Sequence, residues 1–117
     1  MFVMDCVFCK IIKKEIPSEI VDESNSFIAI RDIRPKAPGH TLIIPKKHYV
    51  TLIDLPDKLG NELLSFTKHV ASGLLDDKYG DGFNLIMNNL PAAGQIVAHA
   101  HLHIIPRKEK DGLHSLA

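Results

Sequence analysis

His99-Ala100-His101-Leu102-His103-Ile104-Ile105-Pro106-Arg107 places three of the chain's seven histidines at alternate positions ahead of an apolar pair. Alternation with β-branched residues reads as a strand, predicted over residues 97–105, so the three imidazoles leave one face of a sheet. At roughly 3.3 Å per residue, His99 and His103 stand roughly 13 Å apart along it. Zinc–nitrogen bonds are only about 2 Å long, so the row cannot share one ion. Its members must do different jobs.

Upstream of this row, residues 83–87 read as another strand, separated from it by a loop over 88–94. Before that comes the clearest helix, with Asp54 as N-cap and Pro56 in its first turn. Leu59, Leu63, Leu64, Phe66, Val70, Leu74 and Leu75 form its apolar stripe, and it is predicted to end near Lys78, broken by Gly80 and Gly82. Residues 41–44 form a buried strand stopped by Pro45, preceded by a proline- and glycine-containing loop over 34–39. Residues 19–22 and 27–31 read as two strands joined by a polar turn, and 9–14 as a short helix closed before Pro17. About five strands and one long helix without βαβ alternation imply an α+β fold with a mainly antiparallel sheet.

The 117 residues fit a single domain, 1–117. Apolar content of 45% and charged content of 24% are those of an ordinary globular chain. Lys plus Arg equals Asp plus Glu at 14 each, so no broad field points to nucleic acid or anionic lipid. Apolar runs such as Leu42-Ile43-Ile44 fall far short of the roughly 20 residues that span a bilayer. Met1-Phe2-Val3-Met4-Asp5 lacks the regions of a secretory signal, and a cytoplasmic protein is expected.

The two cysteines, in Cys6-Val7-Phe8-Cys9, are spaced for metal or redox chemistry rather than for a disulfide framework. A thioredoxin-type pair follows a buried strand, for which the residues ahead of Cys6 leave no room. A zinc site needs two further ligands, and imidazole suits it. His40, His48, His69, His99, His101, His103 and His114 are all candidates, and spacing does not choose among them. A plain pair of buried or surface thiols is the alternative.

The run His99-x-His101-x-His103-Ile104-Ile105 resembles the signature of the histidine triad family of nucleotide-binding hydrolases and transferases. The resemblance extends through Ile11-Ile12-Lys13-Lys14-Glu15-Ile16-Pro17, Asp32-Ile33, and Pro38-Gly39-His40-Thr41-Leu42-Ile43-Ile44-Pro45-Lys46-Lys47-His48. It continues with Asn88 and Gly94-Gln95, and so covers nearly the whole chain. It implies a five-stranded antiparallel sheet with one long and one short helix, paired into a ten-stranded homodimer. By the same resemblance, Cys6, Cys9, His48 and His99 hold a structural zinc ion, four protein ligands leaving no open position. Metal binding then stabilises the fold.

The resemblance makes His101 the nucleophile, attacking the α-phosphate of a purine nucleotide substrate and forming a nucleotidyl-imidazole that water cleaves to a nucleoside monophosphate. His103 and His40 become donors beside the phosphate, where protonated imidazole would favour the growing charge. Asn88 and the backbone around Gly94, Gln95 and Ile96 hold phosphate or sugar, and Asp32 accepts the ribose hydroxyls. Phe8, Ile11, Ile30 and Ile33 wall the base, with core packing as the alternative. Asp32 and Asn88 have turn capping as theirs. His69 on the helix and His114 in the polar tail are read as exposed, and Lys46-Lys47 and Lys108-Glu109-Lys110 as solvated charge.

Three departures bear on substrate. Ile96 stands where the phosphoramidase branch carries a serine hydroxyl near the leaving group. Ile104-Ile105-Pro106-Arg107-Lys108 is more similar to the dinucleoside polyphosphate hydrolase branch. The segment after Arg107 is short, and the chain has no tryptophan. The leading expectation is a hydrolase of nucleoside phosphoramidates or dinucleoside polyphosphates. The alternatives are a nucleotidyl transferase or phosphorylase, and a zinc-stapled nucleotide-binding module with negligible turnover.

Overall fold

Along the chain the elements are α1 (Val7–Ile12), β1 (Ile20–Glu23), β2 (Phe27–Arg31), β3 (Thr41–Pro45), α2 (Gly60–Asp76), β4 (Gly82–Ile86) and β5 (Leu102–Arg107). The strands, in the order β1-β2-β3-β5-β4, make one sheet in which every neighbouring pair is antiparallel. These elements come from a computed structural model that describes residues 6–114. The leader reading of Met1–Asp5 lies outside those residues. No described helix is long and apolar enough to cross a membrane. The α+β class and the five-stranded antiparallel sheet are as the sequence predicts.

Pleating splits the apolar residues into two layers. Ile28, Ile30, Leu42 and Ile44 leave one face and pack with Phe8 and Ile11 of α1. Phe27, Ala29, Ile43 and Ile104 leave the other and pack under Phe66, Val70, Ala71 and Leu74 of α2. Fully burying each such side chain is worth about 1.5–3 kcal/mol, so both faces hold the sheet in register. His103 pairs with Leu42 on β3 and Ile86 on β4, which turns it towards the α1 face.

Several boundaries differ from the sequence reading, each for a local reason. The strand expected over 97–105 starts only at Leu102; the stretch before it bends, with Ala100 N–H donating to Tyr49 O at 2.6 Å. Pro45 is the last residue of β3, one beyond the expected end and opposite Phe27, and its carbonyl serves His99. Asp54 caps no long helix. It closes a capping box with Thr51 around the short 3-10 turn Leu52–Asp54, and a second such turn, Asp57–Leu59, precedes α2. Leu64 is 61% exposed, leaving the apolar stripe to its neighbours.

Both helices end alike, and neither uses the proline or glycine proposed from sequence. Lys14 and Lys78 take left-handed φ values of 63° and 67°. After them Glu15 N–H donates to Lys10 O and Tyr79 N–H to Leu74 O, the six-to-one bond of a Schellman ending. A side chain there is strained where glycine is not. We therefore predict that Lys78→Gly stabilises the protein by about 0.5–1 kcal/mol in denaturant unfolding. A loss of that size would contradict the strain at this turn.

Candidate active site and metal centre

Four residues from separated stretches meet at the N-terminus of α1. Cys6 Sγ lies 3.3 Å from His99 Nδ1, and Cys9 Sγ lies 3.3 Å from His48 Nδ1 and 3.6 Å from His99 Nδ1. The four ligand atoms all fall within 4.8 Å of one another. Sulfur and nitrogen bound to one tetrahedral zinc at about 2.3 and 2.0 Å would stand about 3.6 Å apart, so the donor set fits that ion. Cys9 N–H donates to Cys6 Sγ at 3.4 Å. Burial, with Cys6 beside it, pushes the Cys9 thiol up to about 11; a cation is what would hold an anionic pair there. His48 and His99 are the two of the seven histidines that the family resemblance pairs with Cys6 and Cys9.

His99 links this centre to the neighbouring imidazole. A carbonyl can only accept, so the 2.8 Å contact from His99 Nε2 to Pro45 O puts the ring proton on Nε2 and leaves the Nδ1 lone pair for a metal. The carbonyl of His99 accepts from His101 Nδ1 at 2.7 Å. Neutral His101 therefore keeps its lone pair on Nε2. Burial lowers its pKa from the usual value of 6.5, so it is neutral at pH 7. Phe8 packs edge-on to both rings, 5.8 Å from His99 and 5.0 Å from His101 between centroids.

The second cluster, Asp32, His40 and His103, also gathers metal-ligating atoms, but its geometry is that of a hydrogen-bonded relay. His40 Nε2 and His103 Nδ1 are 2.9 Å apart. Two nitrogens on one tetrahedral zinc would be about 3.3 Å apart. Lys36 N–H donates to His40 Nδ1 at 3.0 Å, so neutral His40 carries its proton on Nε2. That proton goes to His103 Nδ1, which leaves His103 with Nε2–H. Asp32 Oδ2 stands 3.5 Å from His40 Nε2. Burial lowers His40 and takes His103 down to about 4, with His101 and His40 adding to the effect on His103. The imidazolium expected beside the phosphate is thus replaced by neutral imidazole, which still donates.

The backbone brings these rings together. Gly39 has φ of 83°, and a Cβ there would stand 2.7 Å from the Tyr79 ring, so only glycine lets the chain turn into buried His40. Asp32 accepts from Arg34 N–H at 2.9 Å through Oδ1, the turn-capping role, while its other oxygen faces His40. Phe8, Ile11 and Ile30 are buried in one cluster, whereas Ile33 is 89% exposed and is not core. Asn88 places Nδ2 near Gly94. Gly94 N–H and Gln95 N–H, expected to reach a phosphate, donate instead to Pro91 O and Leu90 O within the loop. Ile96 N–H has no partner among the described residues, and its side chain is 95% exposed. His69 is exposed and pairs with Asp22 at 2.9 Å, away from the site, and His114 is exposed.

Sequence reasoning missed the carbonyl of Pro45, the amide of Lys36 and the strap over 48–52. Main-chain groups carry no residue signal, so only the fold reveals them.

A family profile described as HIT domain matches residues 13–110. The chain belongs to the HIT family. An uncharacterized HIT-like protein of Methanocaldococcus jannaschii is 48% identical over 109 residues, covering 92% of this chain and 82% of that protein. An adenylylsulfatase of Arabidopsis thaliana is 44% identical over 93% of this chain, which spans 55% of its length. An adenosine 5′-monophosphoramidase of Saccharomyces cerevisiae is also 44% identical, over 92% of this chain and 66% of its own. Among solved structures, a zinc-bound histidine triad protein from Mycobacterium smegmatis superposes with a TM-score of 0.88 at 38% identity, over 95% of this chain and 81% of that one. HIT membership and the hydrolase relatives place this chain with nucleotide-acting hydrolases at the level of class.

If the four-residue centre binds zinc, elemental analysis of the purified protein should find about one equivalent. His99→Ala should lower that content well below the wild type. Less than half an equivalent in the wild type, with Cys6 and Cys9 freely titratable, would remove the site.

Proposed function

We propose that this HIT chain hydrolyses nucleoside 5′-phosphoryl derivatives, phosphoramidates or phosphoric anhydrides, at the α-phosphorus. The carrying observation is the 2.7 Å bond between His101 Nδ1 and His99 O, which leaves His101 Nε2 as a free lone pair on a neutral ring. Nε2 forms a bond to phosphorus as the bond to the leaving amine, sulfate or phosphate breaks. The leaving group departs with the electron pair, and a proton reaches it where it is basic enough to need one. Water then attacks phosphorus, loses a proton, and releases the nucleoside monophosphate while Nε2 regains its lone pair. Attack on one face and then the other retains configuration overall.

His103 Nε2–H, presented by the His40 relay, donates to a phosphate oxygen as charge grows. Ile96 N–H and Asn88 are suited to the other oxygens and the sugar. Asp32 Oδ2 accepts a ribose hydroxyl while Oδ1 keeps its turn. Phe8, Ile11, Ile30 and the exposed Ile33 flank a purine base. The names of the two curated relatives, an adenylylsulfatase and an adenosine 5′-monophosphoramidase, support an adenosine 5′-phosphoryl group with a small leaving group. Zinc at Cys6, Cys9, His48 and His99 supplies a cross-link rather than an open coordination position. Its removal should cost stability more than it alters the phosphorus chemistry. We place the protein in the cytoplasm.

We further propose a homodimer built along β4. The β1 edge carries a register irregularity between Ile20 and Asp22, a feature that blunts pairing. The β4 edge is regular over five consecutive pairs with β5 and presents Phe83 at 39% and Leu85 at 49% exposure. Joining two such edges gives ten strands. Leu85→Lys should shift the protein from dimer to monomer in sedimentation; a wild type that is monomeric at micromolar concentration would rule this out.

The activity is tested with adenosine 5′-phosphoramidate and diadenosine tetraphosphate, with and without inorganic phosphate. AMP as the nucleotide product supports hydrolysis, ADP formed only with phosphate indicates a phosphorylase, and tight binding without product indicates a binding module. His101→Ala should lower turnover by at least about 1,000-fold with zinc content unchanged. Undiminished cleavage would exclude His101 as nucleophile.

A further inference from the structure

We propose that Gln95 is a positioning residue whose side chain sets the shape of the loop over 88–96 and ties it to a strap over 48–52. Gln95 is 8% exposed, and both ends of its amide are used. Oε1 accepts from Leu90 N–H at 2.7 Å, and Nε2 donates to Val50 O at 2.6 Å. Its own N–H returns to Leu90 O at 3.2 Å, so Gln95 and Leu90 clasp each other across the loop.

The clasp holds a conformation the loop would not keep alone. Leu90 has φ of 75° without being glycine, and Gly94 has φ of 91° at the other end of the short 3-10 turn Pro91–Ala93. Such backbone persists where its surroundings over-determine it. A second stitch runs from Leu52 N–H to Asn89 Oδ1 at 2.8 Å. The same strap accepts from Ala100 N–H through Tyr49 O at 2.6 Å, one residue before His101. It begins at His48, whose Nδ1 faces Cys9. One short segment therefore carries the loop on one side and the approach to His101 on the other. Ile96 N–H, next to Gln95, is aligned against His101 through it. The role is indirect, because the Gln95 side chain is buried and both its polar atoms are engaged by main-chain groups of the loop and the strap.

The chemistry requires an amide. Glu at this position could accept from Leu90 N–H but would set a carboxylate oxygen against Val50 O, cutting one tie with the shape nearly unchanged. Gln95→Glu and, as a second cut, Asn89→Ala separate positioning from folding. The kinetic consequence rests on the hydrolase reading; the structural one does not.

The experiment is residue-resolved amide exchange on zinc-loaded protein, with AMP binding and steady-state kinetics on the same samples. In Gln95→Glu, exchange at Leu90, Ala93 and Gly94, whose N–H groups are bonded within the loop, should rise at least about tenfold while Val70 and Leu74 of α2 stay protected. AMP should bind more weakly, and kcat should fall about tenfold or more with KM changed far less. Asn89→Ala should act in the same direction, more weakly. Unchanged loop exchange overturns the proposal, as does a rise shared equally by α2, which marks general loss of stability. Loop-confined exchange with undiminished AMP binding and kcat also overturns it. A wild type without turnover defeats the hydrolase reading, while exchange and AMP binding still decide the role of Gln95.

Discussion

His99 faces two ways, and the arrangement of the site depends on it. Its ring gives Nε2–H to the Pro45 carbonyl and turns Nδ1 to Cys6 and Cys9, while its own carbonyl takes the Nδ1 proton of His101. Two histidines that share a face thus hold opposite tautomers, one with its lone pair on Nδ1 and the other with its lone pair on Nε2. The division of labour along the row is set by main-chain acceptors rather than by the side chains alone. A backbone shift at residues 97–101 would therefore disturb both centres together.

Burial completes what those bonds begin. Imidazolium is costly to bury, so the rings of His99, His101, His103 and His40 are all biased to the neutral form. A neutral His101 keeps the lone pair that the proposed reaction needs, and a neutral His103 is still a donor because the relay from Lys36 through His40 leaves its Nε2 protonated. In the proposed reaction, His101 then needs to lose no proton before it attacks. The site's electrostatic help comes from directed N–H groups in place of formal charge, and such dipoles need no reorganisation as the reaction proceeds.

Much of this was legible in the residues. Alternation in 99–105 gave the common face of the histidines, although regular pairing starts only at Leu102, where β5 meets β3. The five strands and the long helix followed from periodicity, and β2 over Phe27–Arg31 matches its sequence reading residue for residue. The helix starts were harder to read. Asp54 has the chemistry of an N-cap, yet Thr51 recruits it into an earlier turn. The long helix does end near Lys78 as read, but the turn is made by Lys78 itself and not by Gly80 or Gly82, just as Lys14 and not Pro17 closes the short one. The four-residue centre needed the family resemblance, since seven histidines could pair with two cysteines until the fold brought 6, 9, 48 and 99 together. The main chain at Gln95 reads as a phosphate contact by its place in the sequence; its N–H instead donates to Leu90 O, and its side chain ties the loop to the strap.

The account stands on the placement of two protons, which nitrogen-15 NMR of the histidine rings in zinc-loaded protein reads directly at pH 7. It predicts a neutral His101 protonated on Nδ1 beside a His99 protonated on Nε2 with Nδ1 on the metal. A His101 that is imidazolium, or that carries its proton on Nε2, would contradict it.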